Sequence, residues 1–152
     1  MPLPDDGMLV TGYLQALEKE IALYASRYPN EAITSIYLGG GTPTVLPAES
    51  LCRILFCCRE NFACSPEIEI TIEANPGTAT QEMLQLLRDA GVNRLSLGVQ
   101  SFKSAELQML GRSHSVSDIY TAYDAARKAG FDNINLDLIY ALPGQSLESW
   151  RD

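Results

Sequence analysis

Apolar residues recur along the chain at two different spacings. Over residues 9–28 and 47–62 they fall three or four positions apart, which predicts amphipathic helices. Residues 33–38 form a short apolar run, and residues 67–74 alternate charged and β-branched side chains, which predicts two strands. Pro66 is expected to close the second helical segment before its strand begins.

The alternation continues through the second half of the chain. One helix is predicted through Met83 to Ala90, a short one over residues 103–110 and a longer one through Ile119 to Ala129, ending at Gly91, Gly111 and Gly130. Strands are predicted over 94–99 and 133–139. Thr78 and Gln81 form a possible capping box for the first of these helices. Residues 88–97 are echoed by residues 127–136, so the same helix, glycine and strand unit is used twice.

Strands and helices that alternate in this way imply parallel strands joined by right-handed crossovers. We therefore predict an α/β fold, either a (β/α) barrel or an open doubly wound sheet. Its strands are expected to be adjacent in chain order, with helices covering one face. Both architectures bind ligands at the carboxyl ends of the strands, which directs attention to the residues that end each strand.

The first predicted strand runs into three glycines, followed by Thr42 and Pro43. Because the three glycines lack Cβ atoms, the backbone here can adopt positive φ and offer bare N–H and C=O groups to a ligand. A flexible turn would have the same composition, so the glycines alone leave both interpretations open.

The other strand ends carry Glu73, Gln100 and Asp137. Carboxylates accept from hydroxyl or ammonium groups, glutamine both donates and accepts, and Arg112 suits a ligand carboxylate. Each side chain also has a structural alternative, such as capping a turn or facing solvent. Asp137 interrupts a segment where a barrel interior would favour an apolar residue, whereas His114 is expected to be structural or solvent-facing.

Composition narrows the function classes. The net charge is −8 with no basic run, which argues against binding nucleic acid. The first seven residues lack the features of a secretory leader and no apolar stretch is long enough to span a membrane, so we expect a cytoplasmic protein. Four cysteines at C-x4-C-C-x5-C spacing match no common metal pattern, and reduced, unliganded thiols are expected.

Five ordered motifs resemble radical S-adenosylmethionine (SAM) proteins of the oxygen-independent coproporphyrinogen III oxidase group. They are GGGTPT at 39–44, IEANPG at 72–77, LGVQSF at 97–102, LGRSH at 110–114 and NLDLIYALPGQ at 135–145. The ANPG and LGRSH forms are more similar to the haem chaperone (HemW) branch than to the true oxidase.

The resemblance implies a partial TIM-type barrel, with about four of its parallel strands present, that binds SAM at its mouth. It places Gly40, Gly41 and Thr42 at the methionyl portion, and Arg112 near a carboxylate. Glu73, Gln100 and Asp137 are implied to lie around the sugar and adenosine. Haem or a porphyrin would be a further ligand of the complete parent.

The chain departs from the family in one respect. Its relatives carry a C-x3-C-x2-C loop whose thiolates hold a [4Fe-4S] cluster, and no such motif occurs here. We therefore expect residues 1–152 to be a fragment of the radical SAM core, without the cluster-loop strand and the C-terminal region. Three functions stay open: a radical enzyme that cleaves SAM to a 5′-deoxyadenosyl radical, a haem-binding and delivery protein, or a fragment with no activity alone.

Overall fold

A computed structural model of the chain describes residues 7–151, and its helices and strands alternate in the predicted order. They are α1 (Gly7–Arg27), β1 (Ala32–Leu38), a 3-10 turn (Pro43–Val45), α2 (Ala48–Asn61), β2 (Ala63–Ala74), α3 (Gln81–Asp89), β3 (Arg94–Gln100), α4 (Ser104–Met109), α5 (Val116–Lys128), β4 (Asn133–Leu138) and α6 (Leu147–Arg151). Residues 1–6 lie outside the described residues. The expectation that the chain has no secretory leader concerns this segment. No helix within 7–151 is long and apolar enough to cross a membrane.

The four strands form one parallel sheet in the order β1-β2-β3-β4. Strands that neighbour each other in sequence therefore neighbour each other in space, and the predicted α/β architecture is confirmed. Because all four run in the same direction, their carboxyl ends lie along one edge of the sheet, where the loops after each strand meet.

One face of the sheet, here called the helix-covered face, holds the core. Its strand residues are Ile36, Ile70, Ile72, Ala74, Leu95, Leu97 and Val99. They pack in one cluster with Leu51 and Leu55 of α2, Leu84 and Leu87 of α3, and Ile119, Ala122 and Ala126 of α5. Burying each large aliphatic side chain stabilises the fold by about 1.5–3 kcal/mol. This face therefore anchors the strands whose ends carry the candidate site.

The repeated unit uses an arginine in the same way twice. The Arg88 guanidinium donates to the Val92 carbonyl, and the Arg127 guanidinium donates to the Phe131 carbonyl, in each case four residues ahead. Each arginine thus closes the turn that leads from its helix into the next strand. The echo between residues 88–97 and 127–136 is a structural repeat.

The expected role of Pro66 is wrong. Strand β2 begins at Ala63 and continues through Pro66, and the register between β1 and β2 shifts between the pairs Ile33–Cys64 and Ser35–Glu69. Because proline has no N–H to contribute, the ladder is interrupted at this point and resumes beyond it. Cys64 consequently lies in the first residues of β2 rather than on a connection.

The predicted capping box of α3 is also wrong. Thr80 is the N-cap, and its side chain accepts a hydrogen bond from the Met83 N–H at 3.2 Å. The Thr78 hydroxyl is used elsewhere, because it donates to the Asn75 carbonyl within the preceding turn. The helix therefore starts two residues later than a box at Thr78 would require.

Candidate functional site

The face of the sheet opposite the helices, here called the polar face, carries the candidate site. Its residues are those that alternate with the core positions, including Tyr37, Glu73, Ser96, Gly98, Asn135 and Asp137. Asp137 is therefore no interruption of an apolar lining, and the expectation of an apolar interior at this position is wrong. It follows Asn133 and Asn135 on the same side of β4, so polar residues recur there at every second position.

A cavity of about 160 Å³ opens on this face at the carboxyl ends of the strands. Its wall includes six of the seven residues that the sequence and its family resemblance single out: Gly41, Thr42, Glu73, Gln100, Arg112 and Asp137. Ala74, Asn75, Ser96 and Gly98 complete the lining. The glycine loop after β1, the ends of β2, β3 and β4, and the loop that carries Arg112 thus meet at one concave surface. The role of these residues as cofactor ligands stays a prediction.

The glycine loop owes its shape to glycine at three successive positions. Gly40 and Gly41 have φ of +87° and +72°, which L side chains rarely adopt. At Gly39 a Cβ would lie 2.6 Å from a ring carbon of Tyr37 and 3.0 Å from the Glu73 carboxyl carbon. Gly40 does not line the cavity, but its N–H donates to Glu73 Oε2 at 3.3 Å and ties the loop to β2.

Glu73 is held from two sides. The Tyr37 hydroxyl donates to Oε1 at 2.7 Å, while the Gly40 N–H reaches Oε2. The hydrogen bond to this carboxylate raises the pKa of Tyr37 above its usual value, so the phenol remains a donor at neutral pH. Each carboxylate oxygen keeps acceptor capacity for a ligand in the cavity.

Asp137 is held by its neighbours on the sheet. Ser96 Oγ donates to Oδ2 at 2.8 Å, and Asn135 Nδ2 donates to Oδ1 at 2.6 Å. Asn135 Nδ2 also donates to Ser96 Oγ at 3.0 Å, which closes a triangle of hydrogen bonds. Both ends of the carboxylate therefore have a fixed donor within the sheet.

Gln100 ends β3 in a strained conformation. Its φ is +67°, and the Ser101 N–H donates to the Val99 carbonyl at 2.8 Å, which is the hydrogen bond of a γ-turn. A Cβ at Gly98 would lie 2.8 Å from Gln100 Nε2, so glycine leaves the space that the Gln100 side chain occupies. Positive φ in a residue other than glycine is costly and is concentrated at functional sites.

Two further hydrogen bonds brace the loops around the cavity. The Thr44 and Thr78 hydroxyls lie 2.6 Å apart and join the loop after β1 to the loop after β2. His114 is buried, and its Nε2 donates to the Val99 carbonyl at 3.2 Å, joining the segment after Arg112 to the end of β3. Of the two expectations for His114, the structural one is therefore confirmed. The Arg112 guanidinium makes no hydrogen bond within residues 7–151.

The cysteines lie away from the cavity. Cys52, Cys57 and Cys58 belong to α2, and Cys64 is at the amino end of β2, opposite the glycine loop. All four thiols are free, and burial raises the pKa of Cys52, Cys57 and Cys58. In the described part of the chain no three His, Cys, Asp or Glu side chains converge in a way that suits a metal ion.

Three residues of the site escaped the sequence analysis: Tyr37, Ser96 and Asn135. Each lies on the polar face inside a strand, one, four and three residues before the strand end respectively, beside a carboxylate that was identified. The signal that would have found them is the period-2 alternation itself, because it places residues 96 and 98, and likewise 135 and 137, on the same side. A search limited to the strand ends misses these three residues.

Comparison with known proteins gives consistent matches. Residues 13–152 match the sequence profile of the Radical SAM superfamily. The chain is 42% identical to the heme chaperone HemW of Lactococcus lactis over 142 residues, and 38% identical to the oxygen-independent coproporphyrinogen III oxidase of Escherichia coli over 138 residues. These alignments cover 93% and 91% of this chain but 36% and 30% of the relatives, so the chain spans about a third of their length.

Solved structures agree with the sequence matches. The coproporphyrinogen III oxidase HemN from Escherichia coli, a radical SAM enzyme, superposes with a TM-score of 0.87 at 35% identity, over 99% of this chain and 35% of that one. The archaeal Elp3 of Methanocaldococcus infernus superposes with a TM-score of 0.68 over 88% of this chain and 36% of that one. At 20% identity, that second likeness concerns the fold alone.

Proposed function

Because the chain belongs to the radical SAM superfamily, we propose that the cavity on its polar face binds SAM. One observation carries the proposal: a glycine loop, two carboxylates, an amide and an arginine line a single cavity at the carboxyl ends of parallel strands. Membership of this superfamily implies SAM and a [4Fe-4S] cluster as cofactors. What we propose here is which residues of this chain contact SAM.

The donor and acceptor groups of the cavity suit the different parts of SAM. The open backbone at Gly41 and Thr42 leaves room for the methionyl portion, and Arg112 offers a planar pair of donors to its carboxylate. Asp137 supplies acceptors for the ribose hydroxyls, Glu73 supplies a further acceptor on the sugar and adenosine side, and Gln100 offers both a donor and an acceptor. Gly40 contributes indirectly, since its N–H holds Glu73.

The cysteines of this chain do not fit a cluster site at the cavity, because they lie on α2 and at the opposite end of β2. A [4Fe-4S] cluster, when bound in a complete parent protein, supplies the electron for reductive cleavage of SAM. We expect the 152-residue chain alone neither to assemble this cluster nor to cleave SAM. Anaerobic reconstitution with iron, sulfide and reductant tests this, and stoichiometric cluster formation or repeated SAM turnover would contradict it.

We further propose that the parent is a cytoplasmic, haem-related protein of the haem chaperone type, which binds and delivers haem. The 42% identity to a heme chaperone favours this choice. The oxidase is the second candidate, because the superposition on coproporphyrinogen III oxidase is so close. The full-length protein with its cluster separates them: a haem chaperone binds haem, whereas an oxidase consumes coproporphyrinogen III.

Titration calorimetry with SAM tests the proposed site directly. Asp137→Asn removes the negative charge from an acceptor that a ribose hydroxyl would use, and hydrogen bonds to charged groups contribute about 1.5–3 kcal/mol. We expect affinity to fall about ten- to a hundredfold. Asp132→Asn is the matched control, since it makes the same change just before β4, at the amino end of the sheet.

An equal loss in both variants would attribute the effect to net charge rather than to contact, and would contradict the site. Unchanged SAM affinity in Asp137→Asn would also contradict the site. Thermal unfolding of each variant must show an intact fold before its affinity is compared.

A further inference from the structure

We propose that Asn135 and Ser96 are positioning residues that hold the Asp137 carboxylate in the orientation needed to accept both ribose hydroxyls of SAM. This inference rests on the proposed function of the cavity. Neither residue contacts the ligand in this proposal; each acts through Asp137.

The hydrogen bonds show how the carboxylate is held. Oδ1 accepts from Asn135 at 2.6 Å and Oδ2 accepts from Ser96 at 2.8 Å. The Ser96 hydroxyl has one proton, which it gives to Asp137, so its oxygen is free to accept from Asn135 at 3.0 Å. All three hydrogen bonds are compatible at once, and none competes with another.

The backbone fixes the donors in turn. Ser96 and Asn135 are direct partners in the ladder between β3 and β4, so they lie side by side across the sheet. Ser96 is only 3% exposed, while Asp137 itself lies at the exposed cavity wall. The donors therefore approach the carboxylate from within the sheet and leave one acceptor position on each oxygen for a ligand.

A carboxylate without these donors would rotate more freely. The terminal torsion of aspartate is broad, so many orientations are accessible to an exposed side chain. Ordering one such side chain on binding costs about 0.5–1.5 kcal/mol, which corresponds to roughly two- to tenfold in affinity. Two donors from adjacent strands supply that order before the ligand arrives.

The test compares SAM with its 2′,3′-dideoxy analogue, which lacks both hydroxyls. We expect Asn135→Ala and Ser96→Ala each to weaken SAM binding about two- to tenfold. Neither variant should weaken binding of the analogue, because Asp137 has no hydroxyl to accept from there. Asn133→Ala is the matched control: it has the same residue type, strand and face, and makes no hydrogen bond to Asp137.

An equal loss for SAM and the analogue would show that the two residues only support the local structure, and would overturn the inference. Unchanged SAM affinity in both Asn135→Ala and Ser96→Ala would also overturn it. If Asp137→Asn still weakened SAM binding in that case, the proposed function would stand. Absence of SAM binding in the unsubstituted chain would instead remove the proposed function itself. Two separate variants guard against one failing to fold, which thermal unfolding reveals.

Discussion

The two faces of the sheet are built from neighbouring residues of the same strands, yet they differ in almost every physical property. On β3, Leu95, Leu97 and Val99 are fully buried beneath helices, while Ser96 and Gln100 face the cavity. Adjacent residues of the same strand therefore belong alternately to the core and to the candidate site. The core and the candidate site use separate, alternating positions of the same strands, so substitutions can address one set at a time.

The largest effect is expected on the helix-covered face. Leu97→Ala should lower the free energy of unfolding by about 2–5 kcal/mol, because it removes a fully buried side chain and leaves a cavity. Urea denaturation measures the change. Leu86→Ala, at a 46% exposed position on α3, should cost far less, and equal costs would break the distinction between core and surface.

Gln100 offers a substitution that moves stability and binding in opposite directions. Gln100→Gly relieves the strain of φ +67° and should raise the free energy of unfolding by about 1 kcal/mol, offset in part by the flexibility of glycine. It should also weaken SAM binding, because the side chain at the cavity is lost. Gln100→Ala, which keeps the strain, should weaken binding without stabilising the fold; equal stability in the two variants would contradict this account.

The smallest expected effect is on the acid dependence of unfolding, through Asp118 in the first turn of α5. The Ser115 N–H and hydroxyl both donate to the Asp118 carboxylate and hold its pKa below the ordinary 3.8. A lowered folded-state pKa gives a contribution that is present above pH 3.8 and is lost as the pH falls through the folded value. Asp118→Asn should therefore flatten the acid dependence of unfolding, and SAM affinity at neutral pH should not change.

The fold could be predicted because its signals are local. Periodicity identified the helices and strands, and glycines at 91, 111 and 130 marked the helix ends, all with positive φ as their position requires. The errors arose where residues act at a distance. Pro66 lies inside β2, where the pairing register with β1 shifts to accommodate it. The Thr78 hydroxyl is hydrogen-bonded to the Asn75 carbonyl and to the Thr44 hydroxyl, so Thr80 caps the helix instead.

The side chains that end the strands at the candidate site could be predicted, but the hydrogen-bond donors that hold them could not. Strand ends gave Glu73, Gln100 and Asp137, since parallel topology alone brings them to one edge. The donors that hold them, Tyr37 and Asn135, depend on strand register, which the sequence pattern left open. A rule that favours apolar barrel interiors also concealed the polar face.

The proposed SAM site lies on the polar face, at the carboxyl ends of the strands. Glycine-selective ¹⁵N labelling with SAM titration tests it most directly, because glycines lie at both ends of the sheet. We expect dose-dependent amide shifts at Gly41 and Gly98, which line the cavity, and none at Gly91 and Gly130, in the turns that lead into β3 and β4. Shifts confined to Gly91 and Gly130, or no shifts at saturating SAM, would contradict it.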